Sequence, residues 1–462
     1  MPEIPIMKTI LALTFAATSI TAVAADWPQF RGPSGTGEAP DANPPTTWSE
    51  SSNLKWKIKL PGGGAGTPIV SGEFIFIQTA ISTGKKVEPA IAAPQPEAAA
   101  PRDDAQRGER PRGSFGGGRP GGFGRGEAPK EVQQFAVLCL ERATGKTLWQ
   151  KVVKEELPHE GHHRDHGFAS HTPVTDGTNL YAWFGSRGLH CLDFKGNVKW
   201  SVDFGDMRTR AGFGEGNSVA LHGDTIAVQW DHEGEDDFIA ALDKNTGKEL
   251  WRQKRSEATT WSSPLIITAD GKSQVVTSAT DRIRSYDLAT GAQLWECSGM
   301  TANVIPTPVT GHGMVYAISG FRGASLLAIP LGKTGDLTES GVAWKHGKST
   351  PYVPSPLLAG SRLYFHSGNN PMLSCFDAKT GKPHYEATRM EGATGVYASP
   401  VSAAGRIYLT GRNGAVQVIK DSDTFESISV NKLDEQFDAS PAICGKEIFL
   451  RGHEYLYCIA EK

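Results

Sequence analysis

The strongest constraint on this chain is a phrase that it repeats eight times. A small residue, usually followed by proline, opens a short apolar run; a turn follows, and then an aromatic-rich strand. The proline or its equivalent falls at Pro68, Pro173, Ser218, Pro264, Pro308, Pro356, Pro400 and Pro441. From Pro173 onward the steps are 45, 46, 44, 48, 44 and 41 residues. A period of about 40–50 residues is that of a four-stranded propeller blade, a unit that buries its faces only against neighbours. The step from Pro68 to Pro173 is longer, so it holds an insert.

A second element recurs in the back half of the units. LERATGKTLW ends at Trp149, LDFKGNVKW at Trp200, LDKNTGKELW at Trp251 and YDLATGAQLW at Trp295; Tyr385 and Trp344 close looser versions. Each reads as a hairpin whose turn needs a left-handed residue, supplied by Gly145, Gly196, Gly247, Gly291 or Gly381. The aromatic at the strand end is expected to pack between neighbouring blades. The last unit, from Ala439 to Lys462, has no fourth strand, whereas Lys55–Ile58 precedes the first anchor and has no blade of its own. Pairing the two closes the ring and removes the exposed edges. The expectation is an all-β, eight-bladed propeller of four-stranded antiparallel blades over residues 55–462, closed by an N-terminal strand in the last blade. Residues 26–54 form a leading segment.

The net charge of −3 gives no sign of a nucleic-acid partner. Residues 8–24 read as a signal peptide, with Lys8, an apolar stretch and Ala22-Val23-Ala24 before the cut. Residues 1–25 would then be removed and the protein exported, to the periplasm or cell envelope, with no transmembrane helix in the mature chain. Cys139, Cys191, Cys375 and Cys458 occupy matching places in the third strands of different blades, so buried free thiols are expected. Residues 82–134 are Gly-, Pro-, Arg- and Ala-rich without periodicity and read as a disordered insert. A bland flexible loop is favoured there over an RNA- or anionic-surface-binding segment.

Alternating strands put the loop before strand one and the loop between strands two and three on one face, and the tight turns on the other. The first face is irregular, so binding is sought there. It carries His159, His162, His163, His166 and His171 in one loop, and Asp231 and Glu233 at the head of an acidic loop. Either could hold a metal, and idle surface side chains are the favoured reading of both. Loops before the anchors bring Phe168, Phe213, Trp261, Tyr352, Tyr397 and Phe437, and the second-to-third-strand loops bring Arg187, Arg322, Arg412 and Arg451. Around a ring these could make an aromatic, cationic funnel for a carboxylate, a glycan or a peptide. An aromatic plug with arginines paired to nearby acids is the equal alternative. No nucleophile elbow, HExxH zinc motif, phosphate loop or dinucleotide fingerprint is read in the chain.

The repeated hairpin ending in Trp149, Trp200, Trp251 and Trp295 is similar to the tryptophan-docking repeat of the pyrroloquinoline quinone (PQQ) propeller superfamily. DWPQFRGPSGTG from Asp26, NVIPTPV from Asn303 and TPYVPSPLL from Thr350 resemble segments of exported, BamB-like members of planctomycete type. The resemblance implies either of two roles. One is that of a non-enzymatic scaffold binding a protein segment or an anionic polymer at the envelope, without cofactor. The other is that of a quinoprotein dehydrogenase using PQQ and calcium; its calcium ligands match no residues here, and under this runner-up reading the acidic loop Asp231–Asp237 is the place for a divalent ion. The chain lacks the adjacent cysteine pair of the dehydrogenases and the lipobox of the lipoproteins. The scaffold is the favoured expectation.

Overall fold

The computed structural model describes residues 26–87 and 129–461. The signal-peptide reading and most of the insert lie outside these residues. The described residues form eight sheets, each with a run of four antiparallel strands, and no helix long and apolar enough to cross a membrane. The first blade comprises Ile69–Ser71, Phe74–Lys86, Glu131–Glu141 and Thr147–Glu156. Blades two to seven follow in chain order, with first strands at Val174–Thr175, Ala220–His222, Leu265–Ala269, Val309–Gly311, Leu357–Ala359 and Val401–Ala403. The eighth comprises Ala442–Cys444, Glu447–Arg451 and Tyr455–Ile459, completed by Leu54–Lys59. Trp56 opposes Cys458 in that closing pair, so the ring is sealed by a strand that lies before the first blade in the sequence.

Why the blades stay together is visible at the rim. Trp149 donates its indole N–H to the Phe194 carbonyl of the next blade at 2.9 Å; Trp200 does so to Lys244 at 3.1 Å and Trp251 to Leu288 at 2.8 Å. Trp344 reaches Ala378 at 3.0 Å, and Trp56 carries the pattern across the seam to Arg142 at 3.0 Å. Each ring lies on the turn glycine of the blade it docks against. Gly247 has φ +72°, and a Cβ there would stand 2.7 Å from the Trp200 ring. Both the dihedral and the space therefore demand glycine.

Trp295 departs from this pattern. It is buried between blades four and five, but its N–H turns back to Gln274 of its own blade at 3.0 Å. Gly335–Asp336, from the loop after Ser325–Pro330, runs parallel to the Trp295 strand.

The residues at the mouth of the insert also differ from expectation. The sequence reading starts the insert at Ser82, where the apolar run stops. The ladder nevertheless continues, with Ser82 opposite Gln133 and Lys86 opposite Glu131. Backbone pairing does not need apolar side chains where the strands project beyond the sheet. All six cysteines are free and buried, and burial pushes the Cys139 thiol up to about 12.

Residues 26–48 cross the end of the ring that carries the tight turns. Trp27 pairs with Val70 of blade one, the Thr175 N–H of blade two donates to the Pro28 carbonyl, and Glu38–Ala39 pair parallel with Ser402–Ala403 of blade seven. The leading segment is thus a strap across the channel, and Trp27 and Arg31 within it are fully buried.

Candidate functional site

Above the strap the channel opens into a cavity of about 1270 Å³. Its floor includes Phe30 of the strap, its wall Phe168, Phe213, Trp261, Phe321, Tyr352 and Tyr397, and its mouth Lys130 and Glu131 at the stem of the insert. Five of the six aromatic residues expected to form a funnel therefore do so. Phe437 does not: it is fully buried and stacks edge-on against Tyr457 within the core. Phe321, from the second-to-third-strand loop of blade five, takes a place on the wall and stacks on Tyr352 at 4.9 Å.

The neck is a collar of hydroxyls, one from each blade, at the residue before the proline. In blade three the relay puts Ser218 in this place and Val219 in the proline's, one residue later than the anchor read from the sequence. The Thr67 N–H donates to Thr172 Oγ1 at 2.9 Å, Thr172 N–H to Ser218 Oγ at 2.9 Å, and Ser218 N–H to Ser263 Oγ at 2.8 Å. The relay continues through Thr307 at 3.1 Å, Ser355 at 3.0 Å, Ser399 at 2.9 Å and Ser440 at 2.9 Å. Thr67 Oγ1 is buried and has no partner, so the relay is open at the seam between blades eight and one. The sequence showed seven of these residues only as small ones preceding proline, and Ser218 as a stand-in for the proline itself. Their shared orientation depends on ring closure, which no single repeat displays.

The four arginines part company. Arg412 donates to both oxygens of Asp438, at 2.6 and 3.1 Å, reaches Asp165 at 3.3 Å, and stacks on the Tyr397 ring at 3.9 Å. His453 is a further partner of Asp438 at 2.9 Å. Burial would raise the Asp438 carboxyl, but the hydrogen bonds from His453 and Arg412 outweigh it and hold the group below its usual range. Arg322 lies against Phe321. Arg187 is buried, 2.5 Å from Glu156, and Arg451 is buried behind Thr67 with the Gly66 carbonyl as acceptor.

The histidine loop arches over the cavity rather than gathering its imidazoles. Asp165 accepts from Tyr397 and Arg412 of blade seven, and the His163 N–H donates to the Phe213 carbonyl. His162, His163 and His166 line the cavity. Burial, with the neighbouring His162 and His171, pushes His166 down to about 3, so it is neutral at pH 7. His171 is buried, its Nδ1 on the Asn217 carbonyl at 2.5 Å. His159 lies apart, on Arg187 at 3.0 Å and the Met207 carbonyl. As a correction to the motif reading, the string HEGHH at 159–163 does match the spelling HExxH, whose zinc chemistry needs both histidines on one helical face. This segment contains no helix, and His159 and His163 have separate partners.

Among the described residues one group, His159, Glu160 and Glu215, brings metal-ligand atoms within 4.8 Å of one another. Glu215 already accepts from the Ser186 N–H and hydroxyl at 2.6 Å each, and Glu160 from the Thr209 N–H at 3.1 Å. Arg187 supplies positive charge to both. In the acidic loop, Arg255 grips Asp231 through two bonds of 2.7 and 3.0 Å, with both side chains buried. Glu233 accepts from Thr259, and Asp237 caps the His232 and Glu257 amides. These carboxylates hold the loop together, and Asp231 and Glu233 are outside the cavity lining.

Residues 133–385 and 235–462 match the family profile described as outer membrane protein assembly factor BamB. The chain belongs to that family. BamB from Moraxella catarrhalis is similar at 15% identity, over 72% of this chain and 93% of that one, with a TM-score of 0.50. A quinohemoprotein alcohol dehydrogenase from Pseudomonas putida is similar at 11% identity, over 94% and 80%, with a TM-score of 0.52. At these identities the likeness concerns the fold, which members of quite different function share. Among curated proteins none matches the sequence at a significant level.

Proposed function

We propose that this family member is an exported binding module of the cell envelope, which receives a protein segment in the aromatic funnel and performs no chemistry of its own. The observation that carries this reading is the state of the ionisable groups on the wall. Asp438 and Asp165 are spent on Arg412, His453 and Tyr397, and His166 is held neutral. Apart from the exposed cations Lys130 and Arg164, what remains uncommitted is aromatic surface and hydroxyl, the composition of a recognition site. The family's description as an assembly factor for outer membrane proteins favours a protein segment over an anionic polymer.

The second reading, a dehydrogenase using PQQ and a divalent ion, is favoured by the alcohol dehydrogenase likeness over most of this chain. The residues present fit that pair poorly. A calcium ion takes six to eight oxygens, largely carboxylate, and the wall carboxylates are already engaged by cations or hydroxyls. The Asp231–Asp237 loop is knit to Arg255 and Thr259, away from the lining. Mixing the folded protein with PQQ and calcium tests the choice, with quinone absorbance and dye reduction as readouts. The binding-module reading expects no stoichiometric uptake and no turnover, and turnover would overturn it.

A further inference from the structure

We propose that the neck of the funnel, on the arc from blade six round to blade one, is an anion site that takes a carboxylate carried on an apolar group. The inference rests on the binding-module reading and gives its ligand a chemical class.

The first observation is directional. Ser355, Ser399 and Ser440 each accept the N–H of the preceding blade, so the proton of each hydroxyl is left to donate elsewhere. Thr67 Oγ1, next on the arc, is buried and has no protein partner at all. All four side chains line the cavity. The neck therefore offers a run of donors and calls for an acceptor.

The second observation is charge. Two buried guanidiniums bracket the same arc. Arg31 donates to the carbonyls of Pro356 at 2.6 Å and Pro400 at 2.8 Å, the residues directly after Ser355 and Ser399. Arg451 donates to the carbonyl of Gly66, the residue directly before Thr67. Their Nε atoms have no partner, and among the described residues neither guanidinium has a carboxylate within 4.0 Å. Burial pushes each down to about 9, which still leaves it charged at pH 7. A buried cation with only carbonyl partners favours a counter-ion nearby. The wall acids do not serve, because Arg412 and His453 already hold Asp438 and Arg412 shares Asp165.

The third observation is shape. The strap closes the tight-turn end with Phe30, so a guest enters from the loop face and its leading end meets the collar. Its body then lies against Trp261, Phe321, Tyr352 and Tyr397. A polypeptide C-terminus ending in an apolar residue has this chemistry, and so does a small apolar acid.

Calorimetric titration of the whole mature chain distinguishes the sources and tests the site. One pair of probes is phenylpropionate and its amide; the other is a short peptide ending in phenylalanine, with its C-terminus free or amidated. The acids are expected to bind at least about tenfold more tightly than their amides, as charge-assisted hydrogen bonds require. Whichever acid binds more tightly identifies the source. Thr67→Val removes a hydroxyl that bonds nothing in the protein, so thermal unfolding should stay unchanged while acid affinity falls several-fold and amide affinity does not. Arg451→Met should abolish the acid preference, and Thr67→Val carries the test if that variant fails to fold. Equal binding of acid and amide overturns the neck site but leaves the funnel as a binding site. Failure of either acid to bind the folded chain at millimolar concentration also overturns it. Turnover with PQQ would instead remove the binding-module reading.

Discussion

Two contact systems join the blades of this ring: a docked tryptophan at the rim of five junctions and a hydroxyl relay at the neck of seven. At the rim a tryptophan lies on the next blade's turn glycine and its single N–H is used on a carbonyl, so the contact is complete in itself. At the neck a hydroxyl accepts an N–H and still has a proton to give. Both systems serve to join blades, but only the neck has bonding capacity left over. A repeated residue is therefore not always a residue without function. What decides is whether its hydrogen bonds close.

The sharpest way to test that division is at the acidic loop, which is irregular yet closed. Asp231→Ala would strand Arg255, whose other partners are Thr277, Tyr286 and, at 3.6 Å, Glu257. Breaking a buried pair in this way costs about 3–5 kcal/mol, to be read as a lowered urea midpoint. A chelator should leave the wild-type midpoint where it is. A midpoint that falls with chelator and rises with calcium would return Asp231 and Glu233 to the metal-binding candidates. A smaller effect is expected at the rim. Gly247→Ala adds a Cβ 2.7 Å from Trp200 at φ +72° and should cost about 2–3 kcal/mol. Gly223→Ala, at φ +56° with open space around it, should cost about 1 kcal/mol. Equal losses would mean that the dihedral alone matters and that the docked ring gives way.

The rim was legible in the sequence because it is local. The spacing of Trp200 and Gly247 repeats from unit to unit, and each hairpin displays its own turn chemistry. Trp295 was misleading for the same reason. Its own unit looks regular, and the exception arises from Gly335–Asp336 in the next blade. The funnel was half legible. Aromatics before the anchors could be projected inward, but Phe437 sits one layer deeper, in the core behind blade eight. Arg31 and the collar were not legible as a site. Arg31 meets Pro356 and Pro400 only when the strap crosses the closed ring, over sequence separations of 325 and 369 residues. No periodicity encodes a contact of that kind.

The smallest effect tests the loop face, where a buried acid is satisfied by neutral donors. Burial lifts Glu215 to about 7, against the hydrogen bonds from Ser186 and the charge of Arg187. A carboxyl whose folded pKa lies above its unfolded value of about 4.3 binds its proton more tightly in the folded state. Its contribution is therefore fully present below the unfolded value and is lost as pH rises through about 7. Between about pH 4.5 and 7 this group makes stability decline, opposite in sign to the effect of a salt-bridged acid such as Asp438. Glu215→Gln keeps an acceptor for the Ser186 N–H and removes the titration. Chemical unfolding across that window should show a flatter pH dependence for the variant than for the wild type. If the two slopes coincide, Glu215 titrates alike in both states, and the His159–Glu160–Glu215 group has to be reconsidered as a charged cluster able to recruit a cation.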